Sequence, residues 1–197
     1  MRVMKKLLYV CWVLFIVACS EQRTANPHVI IDTKFGGIEI ELYPEQAPKT
    51  VAAFLGYVDS GFYKRANFYR VLNDENQPSN APKAELIQGG IWKTNYQKAI
   101  AVRGVPHEPT SQTKLLHKNG IISLARAEPG TAGTEFFICI GDQPGFDYGG
   151  DNNPDGQGYA PFGKVVKGMD AVLNIYKSKE YDQKLDPPIV IYNISRR

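Results

Sequence analysis

The chain has 197 residues, with 23 Lys and Arg against 20 Asp and Glu and a formal charge of +3. Three of those cations and none of the acids lie in the first 18 residues, so the remaining stretch of about 180 residues is formally neutral and long enough for one domain with a substantial core. That balance gives no electrostatic reason to bind nucleic acid or an anionic membrane surface.

The N-terminus reads as a leader and not as part of the fold. Arg2, Lys5 and Lys6 form a positive n-region, and Leu7 to Ala18 is an apolar run of signal-peptide length, too short to span a bilayer. It ends Ile16-Val17-Ala18-Cys19-Ser20, which resembles a bacterial lipobox: cleavage would precede Cys19, and its thiol would carry acyl chains. Two chains hold a protein on a membrane stably where one does not. Residues 1–18 are therefore expected as a lipoprotein signal peptide, 19–28 as a lipidated N-terminus and tether, and 29–197 as an exported domain. That domain would be anchored to the cell-envelope membrane, in the periplasm or another extracytoplasmic space. An ordinary secretory signal with an incidental cysteine is the alternative. With Cys11 removed and Cys19 acylated, Cys139 stands alone and no intrachain disulfide can form. Its neighbours Ile138 and Ile140 point to a buried thiol.

The domain opens with Val29-Ile30-Ile31, a turn at Phe35-Gly36-Gly37, and Ile38-Glu39-Ile40-Glu41-Leu42. The second run alternates strictly, which predicts a half-buried strand and, with the first, a hairpin. Pro48 stands where a helix begins, Val51, Phe54, Leu55 and Val58 form its apolar stripe, and Gly61 can close it. Met169, Val172, Leu173 and Tyr176 predict a second helix. Most other segments are short apolar strands separated by Gly, Pro, Asn and Asp, ending with Pro188 to Tyr192. Many strands and two helices predict a mainly β fold: a closed or nearly closed barrel capped by helices, with no second domain.

Two decoys fall away. Asp151-Asn152-Asn153-Pro154-Asp155-Gly156 looks like the start of a calcium loop, but the position that should hold a bidentate Glu is Phe162, so a turn is the better reading. His28, His107 and His117 lack metal-ligand spacing and read as surface or loop residues, and no Ser-His-Asp arrangement stands out.

Three strand-like segments carry the chemistry: Phe68-Tyr69-Arg70-Val71, Ile87-Gln88-Gly89-Gly90 and Gly133-Thr134-Glu135-Phe136-Phe137-Ile138. They supply an arginine, a glutamine and an aromatic pair, with no nucleophile motif, phosphate loop or metal cluster alongside. A fixed donor and an apolar seat suit rotation about a prolyl peptide bond. That barrier is amide resonance, roughly 18–20 kcal/mol, between ground states about 0.5–1 kcal/mol apart. A cation that hydrogen-bonds the emerging lone pair of a pyramidal prolyl nitrogen lowers it without covalent chemistry, cofactor or metal.

These segments, with Thr33 to Ile38, Ala47 to Val51, Gly61-Phe62-Tyr63, Gly120 to Arg126 and Phe162 to Asp170, resemble the cyclophilin family of peptidyl-prolyl cis-trans isomerases, in family order from about Val29 to Tyr192. The resemblance implies a closed eight-stranded antiparallel barrel capped by two α-helices. It also implies that Arg70 is the catalytic arginine and that Gln88 binds the substrate backbone and helps hold it. By the same resemblance Phe137 floors the proline pocket, Leu86, Phe146 and Tyr159 wall it, Arg126 binds substrate backbone, and Glu135 stands at a substrate-binding position. Phe136, alternating with Phe137, should face the core.

Four departures from the family pattern stand out. Tyr69 replaces a usual His and is expected to do no chemistry. Glu135 replaces a Gln and could pair with Arg70, orienting or partly neutralising it. Gly145 stands where drug-sensitive members place a tryptophan. The connection from Asn73 to Leu86 runs 14 residues where about four are usual, and it is expected either to shape substrate choice at the groove rim or to be an inert excursion. Two functional classes follow: an isomerase assisting exported or envelope proteins, acting on proline-containing peptides and unfolded chains, and a binding module or chaperone for proline segments with little turnover. A monomer is expected.

Overall fold

The computed structural model describes residues 25–197; the leader, Cys19 and the first residues of the tether lie outside them. β1 (His28–Thr33) and β2 (Gly36–Leu42) form the expected hairpin, with Val29 opposite Ile40 and Ile31 opposite Ile38, all four fully buried. After α1 (Pro48–Asp59) come β3 (Ala66–Leu72), β4 (Leu86–Gly90), α2 (Tyr96–Ala101), α3 (Thr110–Thr113), β5 (Ile121–Leu124) and β6 (Phe136–Cys139). A single 3₁₀ turn at Pro144–Phe146 leads to β7 (Ala160–Lys167), α4 (Met169–Tyr176), β8 (Glu180–Tyr181) and β9 (Lys184–Arg196).

The strand order is β1-β2-β7-β5-β6-β4-β3-β9, all antiparallel, and β9 pairs back onto β1. Eight strands thus close a barrel and leave no free edge, while β8 is a short appendage on β9. Four helices replace the two expected. α2 and α3 span 6 and 4 residues, too short to print an apolar stripe, and α2 has no buried residue at all. Its start is set by Asn95, whose side chain accepts from the Lys98 amide at 3.1 Å. On α4 the buried face is Ala171, Val172 and Ile175, with Met169 and Tyr176 packed at its margin.

α1 plugs the barrel. Val51, Phe54, Leu55 and Val58 are buried, and the Phe54 ring lies 4.9–6.0 Å from those of Phe162, Tyr63 and Phe136. The helix closes as its glycine predicts: Gly61 is left-handed (φ +66°), and the Phe62 amide reaches back to the Tyr57 carbonyl while their rings stack at 5.4 Å. Its N-terminus carries no cap of its own. Glu108, fully buried, supplies one from 58 residues away, accepting from the Thr50 amide (2.8 Å), the Thr50 hydroxyl (2.7 Å) and the Lys49 amide (3.2 Å).

The strand period divides the aromatic pair on β6. Phe136 points into the barrel, edge-on to Phe54, Tyr63 and Phe68. Phe137 points outward into a second cluster with Leu72, Ala84, Leu86, Cys139 and Phe146, bordered by Ala125 and Tyr159.

Candidate active site

One rung of the barrel carries the site. Arg70 on β3 stands opposite Gln88 on β4, Gln88 opposite Phe137 on β6, and Phe137 opposite Ser123 on β5. The Arg70–Gln88 end of the rung lies in the wall of a groove of about 870 Å³ that also includes Arg126, Glu135 and Gln183. Arg70 spends three of its five N–H groups on protein. Nη1 donates to Gln88 Oε1 at 3.2 Å, and Nε and Nη2 donate to Gln183 Oε1 at 3.1 and 2.7 Å. One N–H on each terminal nitrogen is uncommitted among the described residues.

A bulge enlarges the site. β3 pairs Phe68 with Gly89 and Arg70 with Gln88, so Tyr69 is the extra residue and joins Arg70 on the groove face instead of alternating away. A one-way chain of hydrogen bonds follows. Gln88 Nε2 donates to the Tyr69 hydroxyl (3.0 Å), which donates to Glu135 Oε2 (2.8 Å). Arginine only donates, so the Gln88 oxygen must face Arg70 and its nitrogen must face Tyr69. Glu135 closes the chain as a pure acceptor; Oε1 takes the amides of Ile91 (2.9 Å) and Trp92 (3.0 Å) and the Thr134 hydroxyl (3.0 Å). Burial pushes the Glu135 carboxyl above its usual range against these hydrogen bonds, and burial with the nearby Glu135 pushes Tyr69 far up, so Tyr69 stays protonated. Gly90 (φ +145°) is required here, since a Cβ would collide with the Glu135 carboxylate.

Beyond Gln88 the rings of Phe137, Phe146 and Tyr159 meet pairwise at 5.1–5.2 Å. Phe137 and Phe146 are 3 % and 4 % exposed, whereas Tyr159 is half-buried and forms the accessible part of the cluster. Leu86, 4 % exposed, packs in the same cluster at the start of β4 and does not line the groove.

Residues 28–196 match the family described as cyclophilin type peptidyl-prolyl cis-trans isomerase/CLD. The chain belongs to the cyclophilin family. It is 33 % identical over 174 residues to peptidyl-prolyl cis-trans isomerase A of Dickeya dadantii (strain 3937), covering 85 % of this chain and 83 % of that protein. Isomerase B of Escherichia coli (strain K12) is 31 % identical over 148 residues, covering 75 % and 82 %. Among solved structures, a Cryptosporidium parvum cyclophilin type isomerase in the presence of the dipeptide Ala-Pro superposes with a TM-score of 0.66 at 24 % identity, covering 86 % of this chain and 98 % of that one, which speaks to the fold.

Within this cyclophilin the structure separates the expected site residues. Arg70, Gln88, Arg126 and Glu135 line the groove, and Phe137, Phe146, Leu86 and Tyr159 form the ring cluster beside it. The anticipated Glu135–Arg70 ion pair does not exist: Tyr69 and Gln88 stand between them. Arg126 differs from Arg70 in having all five N–H groups engaged, on both Asp155 oxygens and on the Gly158 and Ala127 carbonyls. Its guanidinium also lies 5.4 Å from the centre of the Tyr159 ring. That pairing holds the Asp155 carboxyl at about 2 and pins the loop read above as a turn. At Gly145 a Cβ would meet the Asn152 side-chain oxygen, so a larger residue there requires that side chain to move.

Tyr69 and Gln183 are the residues that motif reading missed; the bulge and a contact across 113 residues put them in place. His117 is a further correction. It is not a surface residue but 1 % exposed, with Nδ1 2.8 Å from Asp147 Oδ1 and Nε2 3.1 Å from Ser123 Oγ. This Ser-His-Asp arrangement is sealed from solvent, Ser123 being fully buried. Its ring lies parallel to Phe137 at 6.1 Å, so the network backs the aromatic cluster. No residue of the 73–85 connection lines the groove; Leu72, Ala84 and Leu86 at its ends pack under Phe137.

Proposed function

We propose that this isomerase accelerates rotation about X-Pro bonds in exported or envelope proteins, with Arg70 hydrogen-bonding the prolyl nitrogen and the cluster around Phe137 seating the proline ring. One observation carries the reading. Arg70 is held at three N–H groups while an N–H on each terminal nitrogen is left uncommitted beside the groove. A cation fixed in advance stabilises the twisted, pyramidal nitrogen without reorganising at the moment of reaction. Gln88 adds alignment, and Tyr159 with the Phe137 edge supplies an apolar surface one rung away. Arg126, though fully bonded, lies in the same groove wall and supports the substrate side through the Gly158 backbone it holds. Glu135 acts through Tyr69 and not on substrate directly.

Exchange on an Ala-Pro peptide followed by NMR tests this. The wild-type chain is expected to broaden the cis and trans signals, and Arg70→Ala to abolish the broadening while peptide-induced shifts persist. The second reading is a binder of proline segments with little turnover on the same groove. Shifts without accelerated exchange in the wild type would establish it in place of the first.

The lipobox-like run ending in Cys19 supports attachment of the domain to the cell-envelope membrane through acyl chains.

A further inference from the structure

Gln183 occupies an expensive backbone position. With Asp182 it makes the two-residue turn between β8 and β9, and the pair have φ of +66° and +49°. Both values belong to the left-handed region, where a hairpin turn of this kind prefers Asn-Gly. A glycine at 183 would relieve the strain, but it would also remove three hydrogen bonds. Gln183 Oε1 accepts from Arg70 Nε and Nη2, and Gln183 Nε2 donates to the Asn76 carbonyl at 3.0 Å. The orientation is forced from both ends, since arginine only donates and a carbonyl only accepts. The backbone is committed as well: the Val71 amide donates to the Gln183 carbonyl at 2.9 Å, and the Gln183 amide donates to Glu180 Oε2 at 2.8 Å.

Asn76 belongs to the long connection between β3 and β4, which is internally braced. Asn76 Oδ1 accepts from the Asn73 amide (3.0 Å), Asn73 Oδ1 accepts from the Asn76 amide (2.9 Å), and Asn76 Nδ2 donates to the Val71 carbonyl (3.1 Å). Gln77 ties the two sides together, donating to the Asn73 and Ala84 carbonyls at 2.7 and 2.8 Å. The segment reaches the groove only through one amide, that of Gln183.

We propose that Gln183 is a positioning residue for Arg70 and that the 73–85 connection acts through it as a brace on the guanidinium, not as a specificity rim. The proposal rests on the isomerase reading for its consequence in rate, but not for the contact itself. Two charge-assisted hydrogen bonds lost from a group that acts in the transition state should cost about tenfold in turnover with little change in peptide affinity.

The experiment uses the full-length chain and two readouts: exchange on the Ala-Pro peptide, and the Arg70 Nε–Hε signal in a ¹H–¹⁵N spectrum. Gln183→Leu should lower exchange at saturating peptide by about tenfold, change the dissociation constant by less than about twofold, and shift the Arg70 signal or bring it into fast exchange with water. Gln183→Glu keeps an acceptor for Arg70 but loses the donor to Asn76. It should recover part of the rate lost in Gln183→Leu and move the Arg70 signal in the same sense as removal of the connection, since both cut the tie to Asn76; it carries the test should the leucine variant not fold, a wild-type rate and an unmoved signal then overturning the brace. Replacing residues 74–83 by a short turn should move the Arg70 signal in the same sense as Gln183→Leu. A wild-type rate and an unmoved Arg70 signal in Gln183→Leu would overturn the brace; an unmoved signal in the shortened chain would overturn the part given to the connection. Should the wild type accelerate nothing, the isomerase reading fails, and the Arg70 signal alone still decides whether the brace exists.

Discussion

Arg70 can only donate and Glu135 can only accept, and between them they fix the direction of the hydrogen bonds through Gln88 and Tyr69. A glutamine at position 135 would turn an amide nitrogen toward the Tyr69 hydroxyl, which already receives one from Gln88. The hydroxyl proton would lose its acceptor, and residue 135 would compete with Gln88 for the same phenolic oxygen. Glu135→Gln and Tyr69→Phe are therefore each expected to slow exchange on the Ala-Pro peptide several-fold. Rates equal to wild type would show that Gln88 is held by Arg70 alone. The carboxyl also carries a pH dependence whose sign follows from its burial. Its pKa is raised in the fold above the ordinary 4.5, so the folded state holds the proton more tightly than the unfolded chain. Stability from this group falls as pH rises from the unfolded value through the folded one and is level above it. Glu135→Gln removes that loss. Thermal unfolding at about pH 4 and about pH 7 should show the midpoint of the variant, relative to wild type, moving upward with pH; a constant difference would mean the carboxyl does not titrate in that window.

Among the elements, α1 shows most clearly what local sequence can and cannot report. Its stripe, its proline start and its glycine stop are all written within 14 residues, Pro48 to Gly61, because each obeys a short-range rule. Its N-terminal cap is not, since Glu108 lies 58 residues on and is brought there by the chain after α2. Glu108→Ala would leave two amides and a hydroxyl without their acceptor in a buried site, a cost of about 2–3 kcal/mol. For a domain of this size that lowers the melting midpoint by roughly 5–10 °C, while exchange on the Ala-Pro peptide at 25 °C should stay near wild type; a midpoint within a degree would mean that water replaces the carboxylate. The same division runs through the site. Arg70, Gln88 and Phe137 were legible because each stands in a short motif on a strand, and strand alternation sorted Phe137 from Phe136. Tyr69, Gln183 and His117 were not, because a bulge, a turn 113 residues away and a partner 30 residues away set their places. α2 and α3 were missed for a related reason: a helix of one or two turns buries too little to leave a periodic trace.

At the scale of the whole molecule, attachment to a membrane has few ways to arise. Beyond residue 18 the cations and acids balance, which removes the electrostatic term that draws basic proteins to anionic lipid. Among the described residues no helix is long and apolar enough to cross a bilayer. The barrel is closed, and its one long helix spends its apolar face on the core. The proposed anchor is the acylated Cys19, and two acyl chains would make it stable where one would leave a reversible association. Fractionation of cells producing the full chain should place it with the membranes and resist extraction by high salt. Cys19→Ser should release it into the soluble fraction with its peptide exchange intact, because the residues that line the groove fall between Tyr69 and Lys184. A variant that stays on the membrane would mean that the leader is retained as the anchor, and a wild-type chain found soluble would return the N-terminus to an ordinary cleaved signal.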